Sequence, residues 1–322
     1  MNSQDLLASI NGELVKVEAA LYGSLNTSQP LLKEASEHLI KAGGKRLRPA
    51  FVLLSGSFFT ESLDSLIEMA VAMELVHMAT LVHDDVIDNS SSRRGRETVK
   101  AKFGNRMSIY SGDYVLAKSL EMVSHYNRSD IVATMANASI SICEGEIRQM
   151  ETCFKIDQSF KDYFKRIQRK TALLISLSCE MGALLAGADT NKVNAVKLYG
   201  HYLGMAFQIT DDILDFVADE VVLGKPTGSD IRQGIITLPA LYALRCSAER
   251  NELGQILGSA EMVEKYADRG VEIVLNSGGI EYSYQIAQRY VTKAQNMLGN
   301  LPVSPARESM ARIAEFICER NF

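Results

Sequence analysis

No proline falls between Pro49 and Pro226, more than half of a 322-residue chain. Proline punctuates turns and strand ends, and it breaks helices from within. A stretch this long without one reads as a series of long helices rather than a run of punctuated strands. The flanks agree. Leu31, Leu32, Ala35, Leu39 and Ile40 form a helical stripe that ends at Gly43-Gly44, and Pro49 suits the first turn of the helix that follows.

Apolar spacing predicts further helices over roughly 64–87, 108–125, 130–150, 160–187, 192–218, 235–247 and 260–275, with more toward the C-terminus. Breaks fall at Ser90–Gly95, Ala186–Asp189 and Leu223–Gly228. No strand alternation stands out, and there is no Ser/Gly-rich linker. One all-α domain over 1–322, a large bundle around a central cavity, is the economical expectation. The most apolar stretch, Leu66–Val82, is interrupted by Glu68, Glu74 and His77, so it reads as a buried core helix and not as a transmembrane segment.

Composition narrows the class. Hydrophobic residues make up 47% and charged residues 23%, as in ordinary globular domains, and the net charge of −5 disfavours nucleic acid as a partner. Cys143, Cys153, Cys179, Cys246 and Cys318 are scattered with no C-x-x-C pair, which predicts buried free thiols in a reducing compartment. Met1–Asp5 shows neither a basic nor an apolar leader region, so a cytoplasmic location is expected.

One repeat carries chemistry. Asp84-Asp85-Val86-Ile87-Asp88 and Asp211-Asp212-Ile213-Leu214-Asp215 share the pattern D-D-x-x-D, a coincidence that composition alone makes rare. On a helix, positions i, i+1 and i+4 span about 100°, so each triad points to one side. Three adjacent carboxylates repel and need a cation. No Lys or Arg stands four residues from any of them. Oxygen-only donors select hard divalent ions, and Mg²⁺ takes one or two carboxylates with waters and phosphates.

Basic residues accompany the triads. Gly43-Gly44-Lys45-Arg46-Leu47-Arg48-Pro49 sets three cations in a flexible loop running into a helix N-terminus, a natural anion site. Arg93-Arg94 follows the first triad, and Lys225 follows the second in another Gly/Pro loop. His77 precedes Asp84 by two helical turns, Gln208 shares a helix face with the second triad, and Lys170-Thr171 opens an apolar run. Cations and metal-loading carboxylates together suit a diphosphate.

These motifs together resemble the trans-isoprenyl diphosphate synthases, the all-α polyprenyl synthetases, from about residue 30 to 245 and more weakly beyond. Within the family, the pattern is most similar to the catalytic large subunits of two-component bacterial hexaprenyl or heptaprenyl diphosphate synthases. The resemblance implies the isoprenoid synthase bundle, Mg²⁺ as cofactor, and an allylic diphosphate and isopentenyl diphosphate as substrates. It implies that Asp84, Asp88, Asp211 and Asp215 hold the metal, with Asp85 and Asp212 beside them. Arg93, Lys170, Thr171, Gln208 and Lys225 would complete the allylic diphosphate site. Lys45, Arg48, His77 and Arg94 would hold isopentenyl diphosphate. Ile235 and Ile236 stand where family members often carry a Lys. It also implies either a homodimer or a heterodimer with a small regulatory subunit, a product destined for a quinone side chain, and peripheral membrane contact at product release.

Positions 61–83 contain no Phe, Tyr or Trp. In short-chain relatives bulky aromatics just ahead of the first triad floor the pocket. Their absence, with the small residues Ala72, Val76, Ala79 and Thr80, implies a deep channel and a product of C30 or longer, heptaprenyl favoured. A geranylgeranyl synthase, a terpene cyclase and a non-catalytic subunit are the competing expectations. A cyclase would carry Asn and Ser in its second metal motif, and a non-catalytic subunit would have lost site residues.

Overall fold

The computed structural model describes residues 6–93, 95–218 and 227–318. The chain is helical, as its spacing predicts. In order, the helices are α1 Asn11–Ser24, α2 Pro30–Lys41, α3 Leu47–Gly56, α4 Asp64–Ile87, α5 Val99–Phe103, α6 Asn105–Ser124, α7 Ser129–Thr152, α8 Phe160–Ile167, α9 Leu173–Leu185, α10 Thr190–Val217, α11 Ser229–Arg232, α12 Leu238–Cys246, α13 Arg250–Leu257, α14 Ala260–Leu275, α15 Gly279–Leu298 and α16 Pro305–Cys318. A π turn, Gln168–Ala172, joins α8 to α9. The break after the first aspartate pentad is more ordered than a loop: β1 Ser92–Arg93 pairs antiparallel with β2 Arg96–Glu97, with Arg93 opposite Arg96.

The chain forms two compact units. The first comprises Met1–Asn137, Leu177–Lys197 and Asn300–Met310. Its centre is α4, which packs against α1, α3 and α6. Leu66, Met69, Val71, Met73 and Leu75 are all buried, so α4 has no polar face over most of its length. It is long and apolar enough to cross a membrane, yet 67% of that apolar window is buried within the protein. Burial of this kind stabilises by about 1.5–3 kcal/mol per large side chain. Pro30 opens α2 at a position where its missing N–H costs nothing.

The second unit comprises Ala138–Ser176, Leu198–Gly299 and Ala311–Phe322. Its core gathers Tyr163 from α8, Ile209, Ile213 and Phe216 from α10, Leu238 and Leu241 from α12 and Val274 from α14. Ser159 caps α8 through a capping box with Asp162, which fixes where that helix begins.

The cysteines depart from expectation. Cys179 is buried and its thiol is pushed up to about 12, but Cys143 and Cys246 are exposed and Cys153 is half-buried. An exposed position on an amphipathic helix accepts Cys as readily as Ser, so composition alone misjudged them.

Candidate active site

Both aspartate pentads lie at the C-terminal ends of long helices. Asp84 and Asp85 close α4, and Asp88 is its C-cap, with its N–H donating to Asp84 O at 2.8 Å. Asp211, Asp212 and Asp215 occupy the last two turns of α10, which ends at Val217. A helix C-terminus carries the negative pole of the macrodipole, so carboxylates there are disfavoured unless cations join them.

The members of each triad are not equivalent. Asp84 is half-buried and Asp88 is exposed, whereas Asp85 is buried. Arg93, arriving on β1, donates from Nε and Nη2 to Asp85 Oδ1, both at 2.8 Å. Burial still holds the Asp85 carboxyl above its ordinary pKa, with Arg93 opposing. In the second pentad Asp212 is only 4% exposed. It accepts from Tyr163 Oη at 2.6 Å and from Gln208 Nε2 at 2.8 Å. Burial pushes its pKa up to about 6. The first triad therefore turns its middle carboxylate into the protein, 100° round the helix from its first member, whereas the second buries both Asp212 and Asp215, the latter 2% exposed, and leaves Asp211 half-buried.

Asp215 anchors the following segment. Its Oδ2 accepts from Asp230 N at 3.0 Å and its carbonyl from Gly228 N at 2.7 Å. Gly228 takes φ +68°, and a Cβ there would stand 2.3 Å from Val271 Cγ2, so only glycine serves. The segment carrying Ile235 and Ile236 is thus tied to the second triad through backbone, and Arg166 Nη2 donates to Ile236 O at 2.6 Å.

Lys170 and Thr171 lie in the π turn. Lys170 Nζ reaches Glu146 Oε2 at 3.4 Å and Gln149 Oε1 at 3.3 Å on α7. Thr171 Oγ1 donates to Gln208 Oε1 at 2.5 Å. Thr171, Gln208, Asp212 and Tyr163 therefore form one hydrogen-bonded chain. Isolated π turns are frequent at functional sites because they re-aim consecutive side chains.

In the basic loop Lys45 is exposed and Arg48 is half-buried in the first turn of α3. Arg46 plays a different part. It takes a left-handed conformation, φ 49°, at the N-cap of α3. Its guanidinium grips Glu18 Oε2 and Oε1 at 2.8 and 3.0 Å and Glu74 Oε1 at 3.0 Å. Glu74 is 2% exposed on α4, one turn before the half-buried His77. The basic loop is thereby pinned to α4 at the level of His77. A cleft lined by Gly43 of that loop, Met78, Leu81, Asp85 and Arg93 links the loop to the first triad.

Of the other expected residues, Ala72, Val76 and Ala79 are buried on α4, and half-buried Thr80 donates to His77 O at 2.8 Å. Arg94 and Lys225 lie outside the described residues. Sequence reasoning missed Tyr163, Glu18 and Arg166. Glu74 left a signal, a carboxylate inside an apolar helix, whereas Tyr163 left none. Among the described residues no three His, Cys, Asp or Glu converge as a ready-made metal cage. At each helix end the donors are carboxylates alone, and such donors fit a hard divalent ion that completes its coordination with water and phosphate.

A helical chain with two aspartate-rich helix ends and a pinned basic loop defines a class, and the comparisons agree. The family model for polyprenyl synthetase matches residues 29–274, and the chain belongs to that family. It is a trans-prenyltransferase of isoprenoid biosynthesis. It is 43% identical over 313 residues to "Heptaprenyl diphosphate synthase component 2" of Bacillus subtilis, covering 97% of this chain and 89% of that protein. It is 42% identical over 322 residues to the protein of the same description from Geobacillus stearothermophilus, covering 100% of each. Among solved structures, heptaprenyl diphosphate synthase from Staphylococcus aureus superposes with a TM-score of 0.92 at 36% identity over 97% of this chain and 99% of that one. Polyprenyl synthase from Caulobacter crescentus, solved with calcium and isoprenyl diphosphate, gives 0.93 at 33% identity over 99% and 98%. The bundle is thus the isoprenoid synthase fold.

Proposed function

We propose that this chain is the catalytic subunit of a long-chain all-trans polyprenyl diphosphate synthase. It adds isopentenyl diphosphate repeatedly to an allylic primer such as farnesyl diphosphate, giving a product of C30 or longer, with heptaprenyl favoured. The observation that carries the reading is the inequivalence of the triads. Asp85, Asp212 and Asp215 are buried and accept from protein donors, while Asp84 and Asp211 are half-buried and Asp88 is exposed at the negative ends of their helices. The two-subunit form is supported by the relatives described as component 2.

Asp84, Asp88, Asp211 and Asp215 would hold Mg²⁺, with Lys170, Thr171, Gln208, Arg93 and Lys225 around the allylic diphosphate. When bound, the ion neutralises charge on the departing diphosphate. The chain's own residues supply the rest. Lys45, Arg48, His77 and Arg94 bind and orient isopentenyl diphosphate, and the apolar walls keep water from the cationic carbon. The allylic C–O bond breaks with its electron pair leaving on diphosphate, the isopentenyl double bond attacks, and a proton is lost. We assign the whole chain to one catalytic domain that works in the cytoplasm, releases product at the membrane surface, and feeds a quinone side chain.

The test is an assay of the purified chain with Mg²⁺, farnesyl diphosphate and labelled isopentenyl diphosphate, alone and with lysate of the source organism. Long-chain product that forms only with lysate supports the two-subunit reading. Product formed by the chain alone supports a homodimer. Turnover without isopentenyl diphosphate, or a product no longer than C20, overturns the proposal.

A further inference from the structure

A second cationic site lies in the unit formed by Ala138–Ser176, Leu198–Gly299 and Ala311–Phe322. A cleft of about 220 Å³ is lined by Gly145 and Arg148 of α7, Lys165 and Arg166 of α8, and Gln168 and Arg169 of the π turn. Four of these six residues are cations, and none is acidic. Gly145 makes the convergence possible, because a Cβ there would stand 2.9 Å from Arg169 Cβ and force α7 away from the π turn.

Nearby acids balance only part of this charge. Arg148 pairs with Asp162 at 2.8 Å and Arg169 with Glu144 at 3.4 Å. Among the described residues, neither Lys165 nor Arg166 is in ion-pair contact with a carboxylate. Arg166 is the telling member. It is 6% exposed, and its guanidinium donates only to neutral acceptors, Gln158 Oε1 at 3.0 Å and Ile236 O at 2.6 Å. Its charge also acts on the buried Asp212 carboxylate, though without an ion-pair contact. Guanidinium forks match phosphate oxygens in two-point contacts, and a cleft lined by four cations and no acid favours a multiply charged oxyanion over a carboxylate.

We propose that this cleft is a phosphate-binding site separate from the aspartate-rich motifs, and that it takes a diphosphate or phosphate-ester group through Lys165, Arg169 and Arg148, with Arg166 as its floor. The volume holds roughly seven waters at about 30 Å³ each, ample for such a group. The floor also touches the second triad's support. The Arg166 guanidinium lies 5.5 Å from the centre of the Tyr163 ring, whose hydroxyl holds Asp212. Free diphosphate and the headgroup of an anionic phospholipid share this chemistry.

The experiment uses the full chain in EDTA with Lys45→Ala and Arg48→Ala present throughout, so that the basic loop does not contribute. Inorganic diphosphate is titrated calorimetrically, with and without Lys165→Ala/Arg169→Ala, and circular dichroism checks the fold. In parallel, flotation is measured with phosphatidylglycerol/phosphatidylcholine vesicles and with phosphatidylcholine alone. A tenfold or greater loss of diphosphate affinity in the cleft variant supports a site for the free anion. Loss of phosphatidylglycerol-dependent flotation with diphosphate affinity unchanged supports a headgroup site. If the cleft variant alters neither diphosphate affinity nor flotation, the proposal is overturned.

Discussion

Tyr163 donates its hydroxyl to Asp212 Oδ2 at 2.6 Å, and both side chains are buried. Among the described residues the carboxylate has one further protein donor, Gln208, at 2.8 Å. Tyr163→Phe keeps the ring in the core and leaves that oxygen without its donor. An unsatisfied buried group of this kind costs about 1–3 kcal/mol. Urea unfolding should show that loss, and turnover should fall with it because Gln208 and Thr171 share the chain. An unfolding midpoint equal to wild type would show that Tyr163 is only core filler.

The helices were legible because hydrophobic period and proline placement are local properties. Asp64–Ile87 and Ala260–Leu275 fall where the spacing predicts them. The aspartate pentads and the basic loop were legible because their chemistry is written in consecutive residues. What was not legible depends on residues far apart in sequence. Arg93 reaches Asp85 only because a short β pair turns the chain back, and Tyr163 meets Asp212 only through packing of α8 on α10. Arg46 reads as one cation of three until Glu18 and Glu74 are placed around it.

Arg46 supports a second prediction. Its side chain is 11% exposed and that of Glu74 is 3% exposed, so removing either strands a buried charge. Breaking such a pair costs about 3–5 kcal/mol. Arg46→Ala should lower stability by that order and, in protein still folded at low temperature, raise KM for isopentenyl diphosphate more than KM for the allylic primer. Arg46→Lys should recover part of the stability and less of the KM, because Lys lacks the fork that joins Glu18 to Glu74. Equal rises in both KM values would argue against loop positioning.

Asp84→Ala and Asp211→Ala address the metal directly. Both side chains are half-buried at helix ends rather than in the core, so the fold should survive. Losing several kcal/mol of charge stabilisation at the leaving group corresponds to roughly a thousandfold or greater loss of turnover. A Mg²⁺ titration of the residual activity should saturate at higher concentration than in wild type. Rates within tenfold of wild type in either variant would remove the aspartates from the reaction.

His201 sets an acid limit on stability. It is half-buried near Lys293, and burial foremost, with that lysine second, lowers its pKa below the usual 6.5. The unfolded chain then takes up a proton that the folded chain resists. This contribution is intact above about 6.5 and is lost as pH falls through that value toward the folded pKa. His201→Gln should therefore flatten the fall in unfolding free energy between about pH 7.5 and 5.5. Urea titrations at the two pH values, on variant and wild type, measure the difference. Parallel slopes would mean that His201 titrates alike in both states.

Chain length is tested on α4 itself. The helix runs unbroken from Asp64 to Ile87, so Ala79 lies about 7.5 Å along the axis from Asp84, and it is buried with Ala72 and Val76. If the growing tail passes along these small residues, bulk at Ala79 should stop it early. Overpacking a filled core costs about 1–3 kcal/mol, so Ala79→Val and Ala79→Leu accompany Ala79→Phe as a graded series. Product chromatography should show the longest prenyl chain shortening stepwise from Val to Leu to Phe, with the first condensation rate little changed. If the series loses stability in step with side-chain size but every folded member makes the wild-type length, these residues serve helix packing and the length limit lies elsewhere.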